Sequence, residues 1–371
     1  MNHKRVLIFS REFPPKIGGA GTVAKQYAEM LSSYEVTVLT DYQKNLEISH
    51  EKKFQIIKVK TLPKIWFLFY KKAIDFKKFD LIILNDSDSA YIAGKYFRSE
   101  LLSKSIIFLH GSEPEYIFEN PSLTKKILNF RKYYKRALFG CNKIISVSNY
   151  MKEKFLEKTM LNEIKDKIYT IYTPINSKYF YKSSELDIHA KYNIPKNAKI
   201  LLSVSRIIKN KGYLDKFNIF KKLIKENKDL FWLIIGEGKY TKILKELIEK
   251  NDLTSNIILV GKIPRNELKN YYSNVDLFWL LSNFNESFGL VYIEAQACGC
   301  PVIGRNQAGV KEAIDNKRSG FLVNTDEECF DIINNKKYLL LKKDSIINYS
   351  KRFNIKNQLE QFEKIVLEKV D

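Results

Sequence analysis

The sequence of 371 residues is poor in cysteine and histidine, with four of each. None of the cysteines (Cys141, Cys298, Cys300 and Cys329) has C-x-x-C spacing, and no pair of histidines lies nearby to complete a zinc site. So few cysteines in a chain of this length do not form a disulfide framework. We therefore expect reduced thiols, as in a cytoplasmic protein.

The sequence also lacks a long apolar run. The run at residues 6–9 is too short for the core of a signal peptide and is typical of a first buried strand. No later run approaches the roughly 18 apolar residues of a membrane span. These absences predict a cytoplasmic protein that can reach a membrane only peripherally, from the inner face.

Positive charge dominates, with a net charge of +21. Such a balance indicates anionic partners, which include nucleotides, lipid headgroups and nucleic acid. A nucleic-acid-binding protein is the alternative that charge alone favours. The sequence contains no helix-turn-helix, zinc-finger or ribonucleoprotein motif, so we expect no nucleic-acid partner.

Short apolar runs alternate with longer amphipathic stretches, a pattern that predicts α/β domains with parallel sheets. The first set of runs occupies residues 6–9, 36–39, 81–84, 106–109 and 144–147. The second set occupies residues 200–204, 231–235, 257–260, 276–281, 301–303 and 321–323. Two rounds of one pattern predict two doubly wound, Rossmann-like domains.

The predicted domains span residues 1–175 and 196–350. A polar segment, residues 176–194, lies between Pro174 and Pro195 and marks the boundary. Residues 355–371 have helical periodicity, which is compatible with a terminal helix that packs back on the first domain.

A glycine-rich turn follows the first predicted strand and precedes a helix. Its sequence, residues 14–22, contains Gly19 and Gly21, and such a turn can bring backbone N–H groups up to a phosphate. The spacing fits neither G-x-G-x-x-G nor a P-loop. A phosphate cradle and a plain structural turn both remain open for this segment.

Charged side chains follow two strands of the second domain. Arg206 and Lys211 come after the strand at 200–204, where they could hold a diphosphate or could belong to a solvated loop. Glu286 lies in the loop after the strand at 276–281, and Glu294 lies in the next helix. Carboxylates bind vicinal hydroxyls, although a glutamate near a helix start also complements the helix dipole.

Two features of the first domain also lie at strand ends. His110 closes the strand at 106–109, at the mouth of an expected cleft, and a structural histidine is the alternative. Asp86-Ser87-Asp88 fits the pattern of a metal-binding Asp-x-Asp, but we interpret it as a helix cap or surface element. The prediction for the whole chain is no metal site.

These residues together resemble one family, the retaining GT-B glycosyltransferases of family 4, also called glycosyl transferases group 1. The matching residues run in order through most of the chain: Gly18-Gly19-Ala20-Gly21, His110-Gly111, Val147-Ser148, Arg206, Lys211-Gly212, Gly236-Glu237-Gly238, Glu286, Phe288-Gly289 and Glu294. The resemblance implies a GT-B fold, with two Rossmann-like domains that face each other across a cleft. It also implies sugar transfer from a nucleotide diphosphate.

The resemblance assigns roles to single residues. Gly19 and Gly21 would approach the donor phosphates, and Arg206 and Lys211 would neutralise the leaving diphosphate. The other assignments are Glu286 to the donor sugar, Glu294 to the ribose, His110 to the transferred sugar, and Gly236, Phe288, Gly289 and Leu290 to the donor site. The predicted catalytic residues are His110, Arg206, Lys211 and Glu286.

The implied donor is UDP- or GDP-linked and needs no cofactor or metal. The implied acceptor is a glycan or a lipid-linked molecule of cell-surface polysaccharide or lipopolysaccharide synthesis. A sugar-nucleotide epimerase of the same fold is the enzymatic alternative.

Two stretches, residues 64–79 and 125–143, combine lysine or arginine with aromatic residues. Such stretches suit an anionic bilayer surface, and solvated helix faces are the alternative.

Overall fold

The computed structural model describes residues 4–14, 18–42, 54–62 and 65–367. Expectations that concern residues 15–17, Lys64 and residues 368–371 lie outside this part of the chain. The protein divides into two compact units. The first runs from the N-terminal part through Pro174 and also contains the chain from Ile355 onward, and the second is Ile175–Asn354.

Each unit is built on one parallel sheet. The first sheet has the order β3-β2-β1-β4-β5-β6-β7, and its strands are β1 Arg5–Phe9, β2 Glu35–Asp41, β3 Gln55–Val59, β4 Leu81–Leu84, β5 Ser105–Leu109, β6 Lys143–Ser146 and β7 Ile168–Thr170. The second has the order β10-β9-β8-β11-β12-β13, with β8 Lys199–Val204, β9 Leu230–Ile235, β10 Ile257–Gly261, β11 Leu277–Leu280, β12 Val302–Arg305 and β13 Gly320–Val323. Two doubly wound parallel sheets confirm the predicted fold class.

The connections between strands are mostly helical. The α-helices are α1 Gly19–Met30, α2 Trp66–Tyr70, α3 Ser87–Tyr96, α4 Ser99–Ser103, α5 Leu123–Ile127, α6 Phe130–Gly140, α7 Asn149–Thr159, α8 Ile188–Lys191, α9 Tyr213–Glu226, α10 Thr241–Lys250, α11 Leu268–Tyr272, α12 Leu290–Ala297, α13 Val310–Ala313, α14 Asp326–Asn334, α15 Lys343–Ser350 and α16 Ile355–Phe362. Within the described ranges, every helix is too short or too polar to span a bilayer.

The first sheet is covered on both faces, which explains its unbroken apolar strands. Successive residues of β1 enter opposite cores, because side chains alternate across a strand. Leu7 and Phe9 belong to one hydrophobic core and Val6 and Ile8 to the other. All four cysteines of the chain are buried free thiols.

The C-terminal segment packs on the first unit. The ring of Phe362, at the end of α16, is buried 5.6 Å from the ring of Tyr27 in α1. The hydroxyl of Tyr34 donates to Glu363 at 2.6 Å, one residue beyond α16. The helix itself ends at Phe362 and continues as a wider turn, Glu363–Leu367.

The polar segment at residues 176–194 is a packed part of the second unit. Ser183 donates its hydroxyl to Asn270 of α11 at 2.8 Å, and its backbone N–H donates to Ser273 at 2.9 Å. Phe180 is buried against Tyr272 of the same helix. The second unit therefore starts at Ile175, because the polar side chains of the segment find partners on α11.

Candidate active site

The loops after β8 and β11 bring a lysine and a glutamate together. Lys211 follows β8 and Glu286 follows β11, and the ammonium of Lys211 forms an ion pair with Glu286 Oε1. Both side chains are largely buried, with exposed fractions of 16% and 13%. The two strands are neighbours in a parallel sheet, so their carboxyl ends meet at one edge, beside the point where the strand order reverses.

Gly212 allows the Lys211 loop to lie directly on the end of β11. It has a φ of +64°, and a Cβ on it would lie 1.7 Å from the carbonyl oxygen of Leu281. The backbone N–H of Asn283 also donates to the carbonyl of Asn210 at 2.9 Å. Glycine is therefore required beside Lys211 by the packing of two loops.

We expect Gly212→Ala to lower the free energy of unfolding by about 1–3 kcal/mol, because it combines left-handed strain with a backbone clash. Urea titration monitored by circular dichroism measures this loss. Gly19→Ala is the matched control, since a Cβ there meets no atom within 4 Å. Equal stability of the two variants would contradict this account.

Glu294 lies buried in α12 and is paired with an arginine that sequence reasoning missed. Its Oε1 accepts from Arg265 Nε at 3.1 Å and from Arg265 Nη2, and the hydroxyl of Tyr272 donates to Oε2 at 3.5 Å. Arg265 follows β10, again at the carboxyl end of a parallel strand. That position was the signal in the sequence that could have identified it.

Arg206 lies in the loop that also carries Lys211. Its side chain is exposed, and its carbonyl accepts from the backbone N–H of Ile208 at 3.0 Å. The structure thus joins Lys211 to Glu286 and Glu294 to Arg265, and it leaves Arg206 directed to solvent. The functional roles of these residues stay predictions.

Several residues that were assigned to the donor site also have packing or capping roles in the second unit. Gly236, with a φ of +134°, packs against the Ser205 carbonyl, where a Cβ would lie at 1.9 Å. Phe288 is buried against Phe353 with ring centroids 5.2 Å apart, so its side chain packs the loop, and its assignment as a donor contact stays a prediction. Gly289 is the N-cap of α12, and Leu290 is its first residue.

His110 follows β5 in the first unit, and its ring is held on two sides. Its Nε2 lies 2.5 Å from the carbonyl oxygen of Asn85, so Nε2 carries the proton and Nδ1 is the acceptor. The ring stacks on Phe108. Glu113, which is buried, accepts from the backbone N–H groups of His110 at 2.8 Å and Gly111 at 2.7 Å.

A cavity of about 340 Å³ opens beside His110 at the ends of β1, β4 and β5. Its lining consists of Arg11, Glu12, Ala20, Asp86, Ser87, Asp88, His110, Gly111, Ser112, Glu113 and Tyr116. Asp86 caps α3 by accepting from Ser89 N at 2.7 Å, which confirms its interpretation as a helix cap. Among the residues that the structure describes, no three histidine, cysteine or acidic side chains form a metal-binding group.

The two glycines of the first turn differ in their surroundings. A Cβ on Gly21 would lie 3.0 Å from the side chain of Glu12, so the protein itself restricts that position. The corresponding space at Gly19 is open. Of these two glycines, Gly19 has the open space beside its Cα, and phosphate binding at either stays a prediction.

Lys216 of α9 is a fully buried lysine behind the Lys211 loop. Its ammonium nitrogen lies 3.0 Å from Ser203 Oγ and 4.0 Å from the centre of the Tyr213 ring. Burial lowers the pKa of Lys216 well below its ordinary value, and the nearby charge of Lys211 lowers it further. The folded protein therefore binds this proton more weakly than the unfolded chain does.

We expect the stability of the protein to rise with pH between the folded and unfolded pKa values of Lys216, by at most about 1.4 kcal/mol per pH unit. Lys216→Met removes this titration. The free energy of unfolding of the variant, relative to that of the parent, should therefore increase as pH falls from 10 to 7. Urea titrations at four pH values measure the effect, with exposed Lys221→Met as control. Parallel pH profiles for the parent and Lys216→Met would refute it.

Comparison with known proteins agrees with this architecture. Residues 184–353 match the glycosyl transferases group 1 family, and residues 17–179 match glycosyltransferase family 4. HepE of Anabaena, solved in complex with UDP and glucose, superimposes with a TM-score of 0.80 at 17% identity, covering 98% of this chain and all of that one. The fold is that of the GT-B glycosyltransferases.

Curated relatives point to the same family. N-acetyl-alpha-D-glucosaminyl L-malate synthase of Bacillus anthracis is 28% identical over 63% of this chain and 57% of its own length. Alpha-monoglucosyldiacylglycerol synthase of Streptococcus pneumoniae is 24% identical over 86% of this chain and 75% of its own. The protein belongs to the GT-B glycosyltransferases of family 4.

Proposed function

We propose that this glycosyltransferase moves a sugar from a UDP- or GDP-linked donor to a glycan or lipid-linked acceptor, with retention of anomeric configuration. The observation that carries the proposal is the Lys211–Glu286 ion pair at the carboxyl edge of β8 and β11. An ammonium and a carboxylate held together there suit a ligand with both phosphates and hydroxyls. The proposed setting is the assembly of cell-surface polysaccharide or lipopolysaccharide.

In the proposed mechanism, Arg206 and Lys211 neutralise the charge that develops on the leaving diphosphate. Glu286 binds hydroxyls of the donor sugar, Glu294 binds the ribose, and His110 contacts the transferred sugar. The acceptor attacks from the face that the diphosphate leaves, through an oxocarbenium-like state, and a phosphate oxygen takes its proton. Two cations supply the positive charge, so we propose that the reaction needs neither metal nor cofactor.

The comparisons support the donor and acceptor classes. HepE has been solved with UDP and with UDP-glucose, and the pneumococcal relative is named alpha-monoglucosyldiacylglycerol synthase. These activities belong to those proteins. They make UDP-sugars the first donors to test here and lipid-linked molecules the first acceptors.

A panel of UDP- and GDP-sugars, scored by the shift in melting temperature, tests the donor. We expect one nucleotide sugar to raise the melting temperature, and EDTA to leave that shift unchanged. NMR of the product then shows whether the α-anomeric configuration of the donor is kept. Formation of a new sugar isomer without an acceptor would identify an epimerase and contradict the proposal.

We also propose that the first unit docks on an anionic membrane through α5 and α6. Leu123 and Ile127 of α5 are 73% and 71% exposed. A groove of about 510 Å³ beside them is lined by Pro121, Lys125, Lys126, Asn129, Phe130, Arg131, Lys132 and Lys135. Exposed leucine and isoleucine beside a cluster of cations suit insertion between anionic headgroups.

The other basic stretch buries most of its aromatic residues, and Ile65 and Leu68 in it are 42% and 48% exposed, less than Leu123 and Ile127. Its aromatic residues Trp66, Phe67, Tyr70 and Phe79 are buried in the core of the first unit. Sedimentation with phosphatidylglycerol vesicles tests docking, and we expect Leu123→Ser with Ile127→Ser to abolish binding. Leu340→Ser, at an 82% exposed position of the second unit, is the matched control. Equal sedimentation with neutral vesicles would reject docking by charge.

A further inference from the structure

The cavity beside His110 carries an inference about the acceptor, which rests on the proposed function. We propose that it binds the reacting end of the acceptor through hydroxyl or amine groups, and that it rejects phosphate and carboxylate groups. The cavity lies at the carboxyl ends of three parallel strands, where ligands bind in open α/β sheets. Its volume of about 340 Å³ lies within the range of small-molecule sites.

The charge of the cavity is opposite to that of the protein. Four carboxylates line it, from Glu12, Asp86, Asp88 and Glu113, in a chain whose net charge is +21. The cation of the lining is Arg11, whose guanidinium pairs with Asp88 at 2.6 Å and with Asp41 at 3.0 Å, both ion pairs inside the protein. An anionic ligand would therefore meet negative potential at this position.

Three backbone donors of the cavity already bind its own carboxylates. The N–H groups of His110 and Gly111 donate to Glu113, and the N–H of Arg11 donates to Asp86 at 2.6 Å. A phosphate would have to displace a built-in carboxylate to gain any of these bonds. Each such exchange would leave a poorly solvated carboxylate without its donor.

The remaining polar groups favour donors on the ligand. Nδ1 of His110 is an acceptor, because Nε2 carries the proton toward Asn85. Asp88 uses Oδ2 for Arg11, and its carboxyl group has further lone pairs to offer. Lys125 packs its ammonium 3.5 Å from the centre of the Tyr116 ring, so it supplies a second cation at the border of the cavity. Carboxylates still outnumber these cations.

Sugar hydroxyls and a protonated amino group are the ligand groups that fit this lining. The related synthase from Bacillus anthracis is named for L-malate, a dicarboxylate. The acceptor chemistry inferred for the present protein is the opposite one. In this proposal the two related proteins therefore use acceptors of different chemical classes.

Binding of four small molecules to the full chain, measured by calorimetry in the presence of saturating UDP or GDP, tests the inference. The molecules are methyl α-D-glucoside, D-glucosamine, D-glucose 6-phosphate and L-malate. We expect the first two to bind at least tenfold more tightly than the last two. Tighter or equal binding of glucose 6-phosphate or malate would overturn the inference, as would failure of all four to bind.

Asp88→Asn should reduce the difference in affinity between methyl α-D-glucoside and glucose 6-phosphate to below threefold. Asp331→Asn, an equal charge change on the other unit, should leave that difference in affinity unchanged.

If Asp88→Asn fails to fold, added salt provides the second measurement on the parent protein. Raising NaCl from 50 to 500 mM should weaken glucosamine binding at least threefold and leave glucoside binding unchanged, and an equal response of both would overturn the inference. Loss of nucleotide binding in the parent would instead reject the proposed function.

Discussion

Replacing Arg206 with alanine is expected to lower turnover about 30- to 1000-fold, which corresponds to about 2–4 kcal/mol in the barrier. Arg206 is exposed on the loop that also carries Lys211, so its guanidinium is available to an incoming diphosphate. A permanently charged fork that meets the leaving group stabilises the transition state more than the ground state. Steady-state kinetics should therefore show a fall in kcat that exceeds any rise in KM.

Because the side chain of Arg206 is exposed, the melting temperature of Arg206→Ala shows whether a loss of turnover comes from unfolding. Its melting temperature should equal that of the parent, because no buried contact is lost. Lys209→Ala removes one positive charge from an exposed position of the same loop and should keep turnover within about twofold. Parental turnover in Arg206→Ala would remove this residue from the mechanism.

The second large effect is expected at the Lys211–Glu286 ion pair. Lys211→Gln and Glu286→Gln should each lower kcat by about 100-fold or more, because each removes a charge from the proposed donor site. The kcat of the double variant should be no lower than that of the less active single variant, since the two side chains contact each other and act as a unit. Kinetics on the four proteins of this cycle measures the coupling.

The same cycle on a surface pair separates catalysis from general electrostatics. Lys242 and Glu246 of α10 form an i,i+4 pair whose side chains are 89% and 62% exposed. Substituting glutamine at either position should change neither turnover nor stability measurably. Additive losses in the Lys211–Glu286 cycle would show that the pair does not function together.

The strands that the sequence did not reveal are edge strands. β3, Gln55–Val59, and β7, Ile168–Thr170, each pair on one side and lie at opposite ends of the first sheet. An edge strand is covered less completely than a central one, so it needs fewer apolar residues. β3 is only partly buried, and β7 has three residues, so neither produces a long apolar run.

Within the site, sequence reasoning found residues but not all of their partners. Lys211 and Glu286 could be expected at one edge because their strands follow the order of a doubly wound sheet. Arg265 escaped notice because its contact with Glu294 joins residues 29 positions apart on different elements. No sequence motif marks Glu113, whose contacts with two backbone N–H groups are visible only in the structure.

The sequence by itself determined the alternation of apolar strands with helices in both units and the placing of cations and acids after the strands, because these patterns are local along the chain. Tertiary structure alone decided which charges pair and which apolar side chains reach solvent. It buried most of the aromatic residues of the stretch at 64–79 and exposed Leu123 and Ile127. It also gathered four carboxylates around one cavity of a basic protein, because side chains distant in sequence become neighbours only when the elements that carry them pack together.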